Sequence, residues 1–136
     1  MGILVALIAV CMVSGASAQL SDDQASNELR KVIPILRDTM VVDDYSAEGF
    51  RGRDVYFDPP RTVVLEYEYN WALSDSSLTL ETLGPFEAAM ENQVKSLWCS
   101  EPTLKYWRDN NLYQTFLYRD NTGLMLVKIE SENIDC

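Results

Sequence analysis

The sequence predicts one α+β domain, in which an antiparallel β-sheet packs under two or three helices and one disulfide closes the C-terminal part. Three observations lead to this class. Apolar residues recur at helical spacing after residue 21 and after residue 84, and they alternate with polar residues from 61 to 73. Two further alternating segments flank a glycine-containing turn near the C-terminus. No repeat or linker interrupts residues 19–136, so we expect a single domain there.

Residues 1–18 have the pattern of a signal peptide. Residues 3–13 are apolar and uncharged over a length too short to span a bilayer, and Ala16-Ser17-Ala18 has the small residues of a cleavage site. We therefore expect export and a mature chain that begins at Gln19. The segment lacks the usual N-terminal Lys or Arg. An alternative also remains, since Ile8-Ala9-Val10-Cys11 loosely resembles the lipobox at which lipoproteins are acylated.

The chain is strongly acidic. It has 11 basic and 21 acidic side chains and no histidine, which gives a formal net charge of −10 at pH 7. Proteins bind polyphosphates and anionic membranes through Lys and Arg, so this charge argues against both. We expect a protein partner, no nucleic acid, and membrane association only through that partner.

Cys99 and Cys136 are the only cysteines outside the predicted signal peptide. A cysteine pair in an exported chain is typical of an oxidising compartment, and with only two the connectivity is fixed. Closing this loop is expected to stabilise the fold by roughly 4 kcal/mol in the chain-entropy model. A redox or metal-binding pair would need Cys-x-x-Cys spacing or nearby histidines, and the sequence has neither.

A first helix is predicted after Ser21-Asp22-Asp23, which offer N-caps. Its apolar stripe consists of four residues, Leu29, Val32, Ile33 and Leu36. Pro34 is expected to end or kink this helix at Ile33, because its ring clashes with the preceding turn.

Strands are predicted next. Residues 39–42 suit a short strand, and residues 43–60, rich in Asp, Gly and Pro, suggest an irregular crossing or a bent edge strand. In the strand predicted over residues 61–73, one face carries Val63, Leu65, Tyr67, Tyr69 and Trp71, and the other Val64, Glu66, Glu68 and Asn70. We expect the first face to be buried and the second to be solvated.

A second helix is predicted to begin at Gly84-Pro85 and to end at Cys99. Its apolar side, which should cover the sheet, consists of Phe86, Met90, Val94, Leu97 and Trp98. A short third helix should run from Ser100 to Asn110-Asn111. Residues 112–119 and 124–134 then form strands around a turn at residues 120–123.

The sequence offers little catalytic chemistry. Without histidine, Ser-His and Cys-His nucleophiles and most zinc sites are excluded. The candidate carboxylate pairs are Asp22-Asp23, Asp43-Asp44 and Glu66/Glu68, and we interpret each as solvated surface. Asp120 lies three residues before Gly123, but this segment lacks the further oxygen ligands of a calcium-binding loop. We therefore interpret it as a hairpin turn. We predict a non-enzymatic protein without a cofactor.

The C-terminal part resembles a known family. The run Trp98-Cys99-Ser100-Glu101-Pro102-Thr103-Leu104-Lys105 is followed by an aromatic strand, the turn Asn121-Thr122-Gly123, a second strand and Cys136. This pattern, best over residues 86–136, is similar to the small pilotins of type II secretion found in vibrios and enterobacteria. In those proteins a Cys-x-x-Pro-Thr segment after a helix is tied by a disulfide to a cysteine beyond the last strand.

The resemblance implies binding without catalysis. Pilotins hold a short C-terminal helix of a secretin subunit, protect it in the periplasm and carry it to the outer membrane by a lipid anchor. This chain departs from the family at the anchor, because it lacks a convincing lipobox. A soluble, periplasmic pilotin-like protein is the expected function. It would capture the partner between the first helix and the aromatic sheet face, using Leu29, Val32, Leu36, Tyr67, Tyr69 and Trp71.

Alternatives remain open. The aromatic set of Tyr67, Tyr69, Trp71, Phe116 and Tyr118 suits a core as well as the rim of a groove. A periplasmic inhibitor or immunity protein directed against a basic enzyme would also be small, acidic, disulfide-bonded and poor in histidine. A hydrolase working through carboxylates would require a concave site with an Asp or Glu of raised pKa.

The predicted signal peptide defines the mass that is expected for the exported protein. Its intact mass should correspond to an unacylated chain that begins at Gln19, because peptidase cleaves after the small residues of Ala16-Ser17-Ala18. Mass spectrometry of protein recovered after export measures this directly. A mass matching a di- or triacylated chain that begins at Cys11 would overturn the assignment.

Overall fold

A computed structural model describes residues 20–136, so the predicted signal peptide, the cleavage site and the alternative at Cys11 lie outside the described residues. The helices and strands are α1 (Asp22–Met40), β1 (Phe50–Asp58), β2 (Thr62–Tyr69), α2 (Gly84–Ser100), α3 (Lys105–Asp109), β3 (Tyr113–Arg119) and β4 (Met125–Glu130). None of the described helices is long and apolar enough to cross a membrane.

The predicted α+β class is confirmed. The four strands form one sheet in the order β1-β2-β3-β4, and the outer pairs β1/β2 and β3/β4 are antiparallel. The central pair β2/β3 is parallel, which the sequence analysis did not predict. Parallel neighbours need a long crossover, and α2 and α3 are part of that connection.

The helices cover one face of the sheet. A single core cluster contains apolar side chains from all three helices together with alternate residues of β2, namely Val63, Leu65, Tyr67 and Tyr69. This side of β2 is buried as predicted, although Trp71 lies beyond the strand end. The other side was predicted to be solvated, and this is wrong in part. Val64 and Glu68 are only 4% and 6% exposed, because β2 lies between two neighbours whose side chains cover it.

Helix α1 begins after the N-cap Ser21, as predicted, and continues through Pro34 to Met40. The prediction that it could end at Ile33 is therefore wrong. Beyond the proline, Leu36 and Met40 are 1% and 5% exposed in the core. Their burial, about 1.5–3 kcal/mol for each side chain, offsets the roughly 3 kcal/mol that an interior proline costs a helix.

The strand predicted over residues 39–42 does not form, because its first two residues belong to α1. Val41 makes only an isolated parallel bridge to Gly52 of β1. A Cβ atom at Gly52 would lie 2.1 Å from the carbonyl oxygen of Met40. The helix end and β1 are thus in direct backbone contact, which requires glycine at this position. The alternative of a bent edge strand within residues 43–60 is confirmed, since β1 carries a register shift beside Gly52.

Arg61, just before β2, fixes the N-terminal end of the described chain. Its guanidinium donates hydrogen bonds to the carbonyl oxygens of Leu20 and Asn110 and to the carboxylate of Asp22. Its own carbonyl accepts a bond of 2.9 Å from the N–H of Tyr113. Leu20 therefore lies beside the starts of β2 and β3.

The second and third helices form as predicted. Helix α2 has Pro85 in its first turn, where the missing N–H loses no hydrogen bond, and it ends one residue after Cys99. After a 3-10 turn at Pro102–Leu104, α3 leads to Asn111, whose φ of 52° is left-handed. Gly123, with φ of 90°, occupies the predicted turn between β3 and β4.

The predicted disulfide is confirmed. Cys99, in the last turn of α2, is bonded to Cys136, and their Cα atoms are 5.4 Å apart. Strand β4 ends at Glu130 rather than at Ile134, because Ser131–Asn133 form a 3-10 turn. The residues after β4 thus return to the end of α2 and are held there covalently.

Removing this bridge should destabilise the protein. The double substitution Cys99→Ser/Cys136→Ser should lower the free energy of unfolding by about 2–5 kcal/mol, because the unfolded chain regains the entropy of an open loop. Urea unfolding of both proteins measures the difference.

Reduction is the matched control. Dithiothreitol should lower the urea midpoint of the wild type toward that of the double variant and leave the variant unchanged. An unaltered wild-type midpoint after complete reduction would contradict a stabilising role of the bridge.

Candidate partner-binding surface

Five of the six side chains predicted to bind a partner are in the core. The six are Leu29, Val32, Leu36, Tyr67, Tyr69 and Trp71. The first five are at most 5% exposed, and Trp71 is half-buried. Because α1 packs directly on the sheet here, a partner could reach the five only if α1 moved away. Their role in binding is untested and stays a prediction.

The aromatic side chains among them pack against one another. The ring of Tyr67 stacks on that of Tyr118, with centroids 5.1 Å apart. Tyr69 lies 5.5 Å from Trp71 and meets Phe86 edge-on at 6.1 Å. Burial raises the pKa of Tyr69 to about 12, so its hydroxyl stays neutral near pH 7. Of the two interpretations of this aromatic set, the structure agrees with the core.

Exposed apolar side chains gather at another place, beyond the end of β2. We call Leu73, Leu78, Leu80 and Leu124 the leucine surface. Leu78, Leu80 and Leu124 are 44%, 54% and 40% exposed, and Leu73 is buried beneath them. Together they line a shallow depression of about 520 Å³. These residues were not among those predicted to bind a partner, although Leu78-Thr79-Leu80 is an apolar pattern outside every predicted element.

The loop that carries Leu78 and Leu80 is ordered by hydroxyl side chains. The Ser76 hydroxyl donates to the carbonyl of Leu73 at 2.8 Å and accepts from the N–H of Leu78 at 3.1 Å. Thr79 and Thr82 each accept a bond from the other's backbone N–H. Such bonds replace the backbone partners that a helix or strand would provide, so the loop keeps a defined shape.

Asp120 joins this loop to the turn between β3 and β4. Asp120 as a whole is 1% exposed. One carboxylate oxygen accepts a bond from the N–H of Leu73 at 2.9 Å. The other accepts from the N–H groups of Thr122 and Leu124 at 2.9 and 3.0 Å. Burial acts to raise the pKa of Asp120, but these hydrogen bonds and that from the Thr122 hydroxyl outweigh it and lower the pKa.

Glu68, predicted to be solvated, is instead the centre of a buried network on the sheet face away from the helices. It accepts a hydrogen bond from the Tyr45 hydroxyl, one of 3.0 Å from Arg51 and one of 2.9 Å from Arg53. The bond from Tyr45 lowers the pKa of Glu68, and the arginines lower it further, against burial, which raises it. Such a carboxylate is ionised near neutral pH, whereas a general acid needs a raised pKa.

The other candidate carboxylates have simpler surroundings. Glu66 forms an ion pair with Arg119, and Asp22 with Arg61. Asp23 is exposed, and so are both members of the pair at residues 43 and 44. Within residues 20–136, no group of three or more His, Cys, Asp or Glu side chains could hold a metal ion.

A second depression, of about 460 Å³, lies between α2 and β4. Glu91 and Lys95 line it from the helix, and Lys128 and Glu130 from the strand. The last two form an ion pair at 3.0 Å. Its lining is mainly polar and carries both signs of charge, so it offers a partner less apolar contact than the leucine surface does.

Comparison with solved structures identifies proteins that share this fold. A candidate secreted protein from Pseudomonas aeruginosa superimposes with a TM-score of 0.62 at 14% identity, over 83% of this chain and 93% of that chain. EpsS, the pilotin of the Vibrio vulnificus type 2 secretion system, does so with a TM-score of 0.58 at 13% identity, over 80% and 88%. No protein-family model matches the sequence, and no curated protein does. At these identities the likeness establishes the fold.

The position of Asp120 predicts that Asp120→Asn is destabilising by about 1–3 kcal/mol, since an amide nitrogen cannot accept the bond from Leu73. The pKa of Asp120 in the folded protein lies below its ordinary value of 3.8. The ionised carboxylate therefore stabilises the fold fully above pH 3.8, and this stabilisation is lost as the pH falls through the pKa of the folded protein. The stability difference between wild type and variant should therefore shrink as the pH falls from about 5 to about 2.

Urea unfolding at several pH values measures this difference. The matched control is Asp43→Asn, which removes an exposed carboxylate and should alter stability by less than about 0.5 kcal/mol. Equal effects of the two substitutions at pH 7 would contradict the joining role of Asp120.

Proposed function

We propose that this chain is an exported, pilotin-like protein that acts by binding rather than by catalysis, and that it holds a short segment of a secretin subunit in the periplasm during assembly of a secretion system. The observation that carries the proposal is the fold shared with EpsS over 80% of this chain and 88% of that chain. A common fold does not specify a function by itself, so further features are needed.

The disulfide is the first of these features. It joins the end of α2 to the residue that follows the last strand and its 3-10 turn, and it encloses the Cys-x-x-Pro-Thr run at residues 99–103. This is the arrangement that the family resemblance implied. A bridge of this kind also favours an oxidising compartment such as the periplasm.

The leucine surface is the second feature. Capture of a peptide segment depends on a few apolar anchors that leave water on binding. Three leucines that are 40–54% exposed in the free protein offer such anchors, while five of the six side chains first predicted for this role are buried.

Direct binding tests the proposal. Protein purified after export should bind synthetic peptides that match the last roughly 20 residues of secretin subunits from the same organism, with a Kd in the micromolar range or below. Fluorescence anisotropy of labelled peptides measures the affinity.

The control peptides have the same composition in scrambled order, and they should bind at least about tenfold more weakly, because the anchors are then out of register. Absence of saturable binding by every secretin peptide up to about 1 mM would reject a secretin partner. Affinity capture of a periplasmic enzyme that the protein then inhibits would favour the inhibitor alternative.

A further inference from the structure

We propose that the leucine surface is the docking site for a protein segment whose apolar side chains are flanked by Lys or Arg, an inference that rests on the proposed binding function and specifies its site and partner chemistry. The three exposed leucines of this surface lie close together. Leu78 and Leu80 come from one loop and Leu124 from another, and they line one depression.

The part of the sequence that carries Leu73, Leu78 and Leu80 has charge of one sign. Residues 62–94 contain no Lys, Arg or His, but they contain six carboxylates: Glu66, Glu68, Asp75, Glu81, Glu87 and Glu91. Asp75 and Glu81 lie on the loop itself and are exposed, and neither has an ion pair among the described residues. Arg119, close to the neighbouring turn, is already paired with Glu66. A Lys or Arg side chain of a partner could therefore pair with Asp75 or Glu81.

Charge complementarity selects a basic protein segment over two other occupants. An anionic membrane would bring its own negative charge against Asp75 and Glu81, which opposes binding. A second copy of the chain would place the same carboxylates opposite one another, which is also unfavourable. A segment that carries Lys or Arg beside its apolar residues gains both the burial of the leucines and the attraction of the carboxylates.

The surface is also pre-organised. Asp120 ties Leu73 and Leu124 together, and the bonds between Thr79 and Thr82 fix the loop that holds Leu80. A partner therefore loses little affinity to ordering of the loop.

The test uses two synthetic amphipathic peptides of roughly 18 residues, about five helical turns, with identical leucine stripes. One carries Lys on its polar face and the other carries Glu. The exported protein should bind the Lys peptide and not the Glu peptide. Leu78→Ser/Leu80→Ser should weaken binding of the Lys peptide by about tenfold or more, because two apolar anchors are lost.

Matched variants separate this site from general acidity. Ile35→Ser removes an apolar side chain that is 50% exposed on α1, and it should bind the Lys peptide as the wild type does. Asp75→Asn/Glu81→Gln should weaken binding several-fold at about 0.05 M salt and less at about 0.5 M. Asp43→Asn/Asp44→Asn changes the net charge equally and should have a smaller effect.

Several outcomes would overturn the assignment. These are equal losses in the site and control variants, unchanged binding by Leu78→Ser/Leu80→Ser when circular dichroism shows a folded protein, or sedimentation with neutral phosphatidylcholine vesicles that this variant abolishes. The secretin peptides distinguish the two proposals. If they bind wild type and Leu78→Ser/Leu80→Ser equally, only the docking site fails. If they do not bind while the Lys peptide binds through the leucines, only the secretin partner fails.

Discussion

The parallel pairing of β2 with β3 is the constraint on which the rest of the fold depends. Parallel neighbours cannot be joined by a tight turn, so after β2 the chain must return along the sheet before β3 begins. Residues 70–112 make this return, and they contain the leucine-bearing loop, α2 and α3. One pairing thus explains why helices lie between the two central strands in the chain. The loop that carries the exposed Leu78 and Leu80 is part of the same crossover.

Asp120, directly after β3, connects this crossover to the end of that strand through its hydrogen bond from Leu73. A buried carboxylate is tolerated only when its oxygens are hydrogen-bonded, and here the donors come from two segments. Leu73 and Asp120 are 47 positions apart. The leucine surface is therefore a product of tertiary structure, since neither the loop nor the turn would hold its leucines in this arrangement alone. The same dependence makes the surface sensitive to Asp120, although Asp120 itself is only 1% exposed.

Local pattern predicted most of the fold. The buried face of β2, the caps of the helices and the two cysteines each depend on short distances or are fixed by number, and these predictions were confirmed, whereas the other face of β2 is only partly solvated. The predicted helix end at Ile33 was wrong because it considered the low helix propensity of Pro34 without the burial of the residues that follow it. The parallel pair could not be predicted, because strand direction depends on the path of the crossover. The leucine surface was not predicted for a related reason: burial decides which leucines are exposed, and burial is a property of the folded chain.

Arg61 and Asp120 mark opposite ends of the two central strands. Leu20 is held by Arg61 where β2 and β3 begin, and the leucine surface lies beyond the point where both end. At about 3.3 Å per residue, the eight residues of β2 separate these places by roughly 25 Å. The molecule therefore has two poles. Leu20 lies at one pole and the leucine surface at the other, and the hydrogen-bonded sheet between them sets their separation at about one strand length.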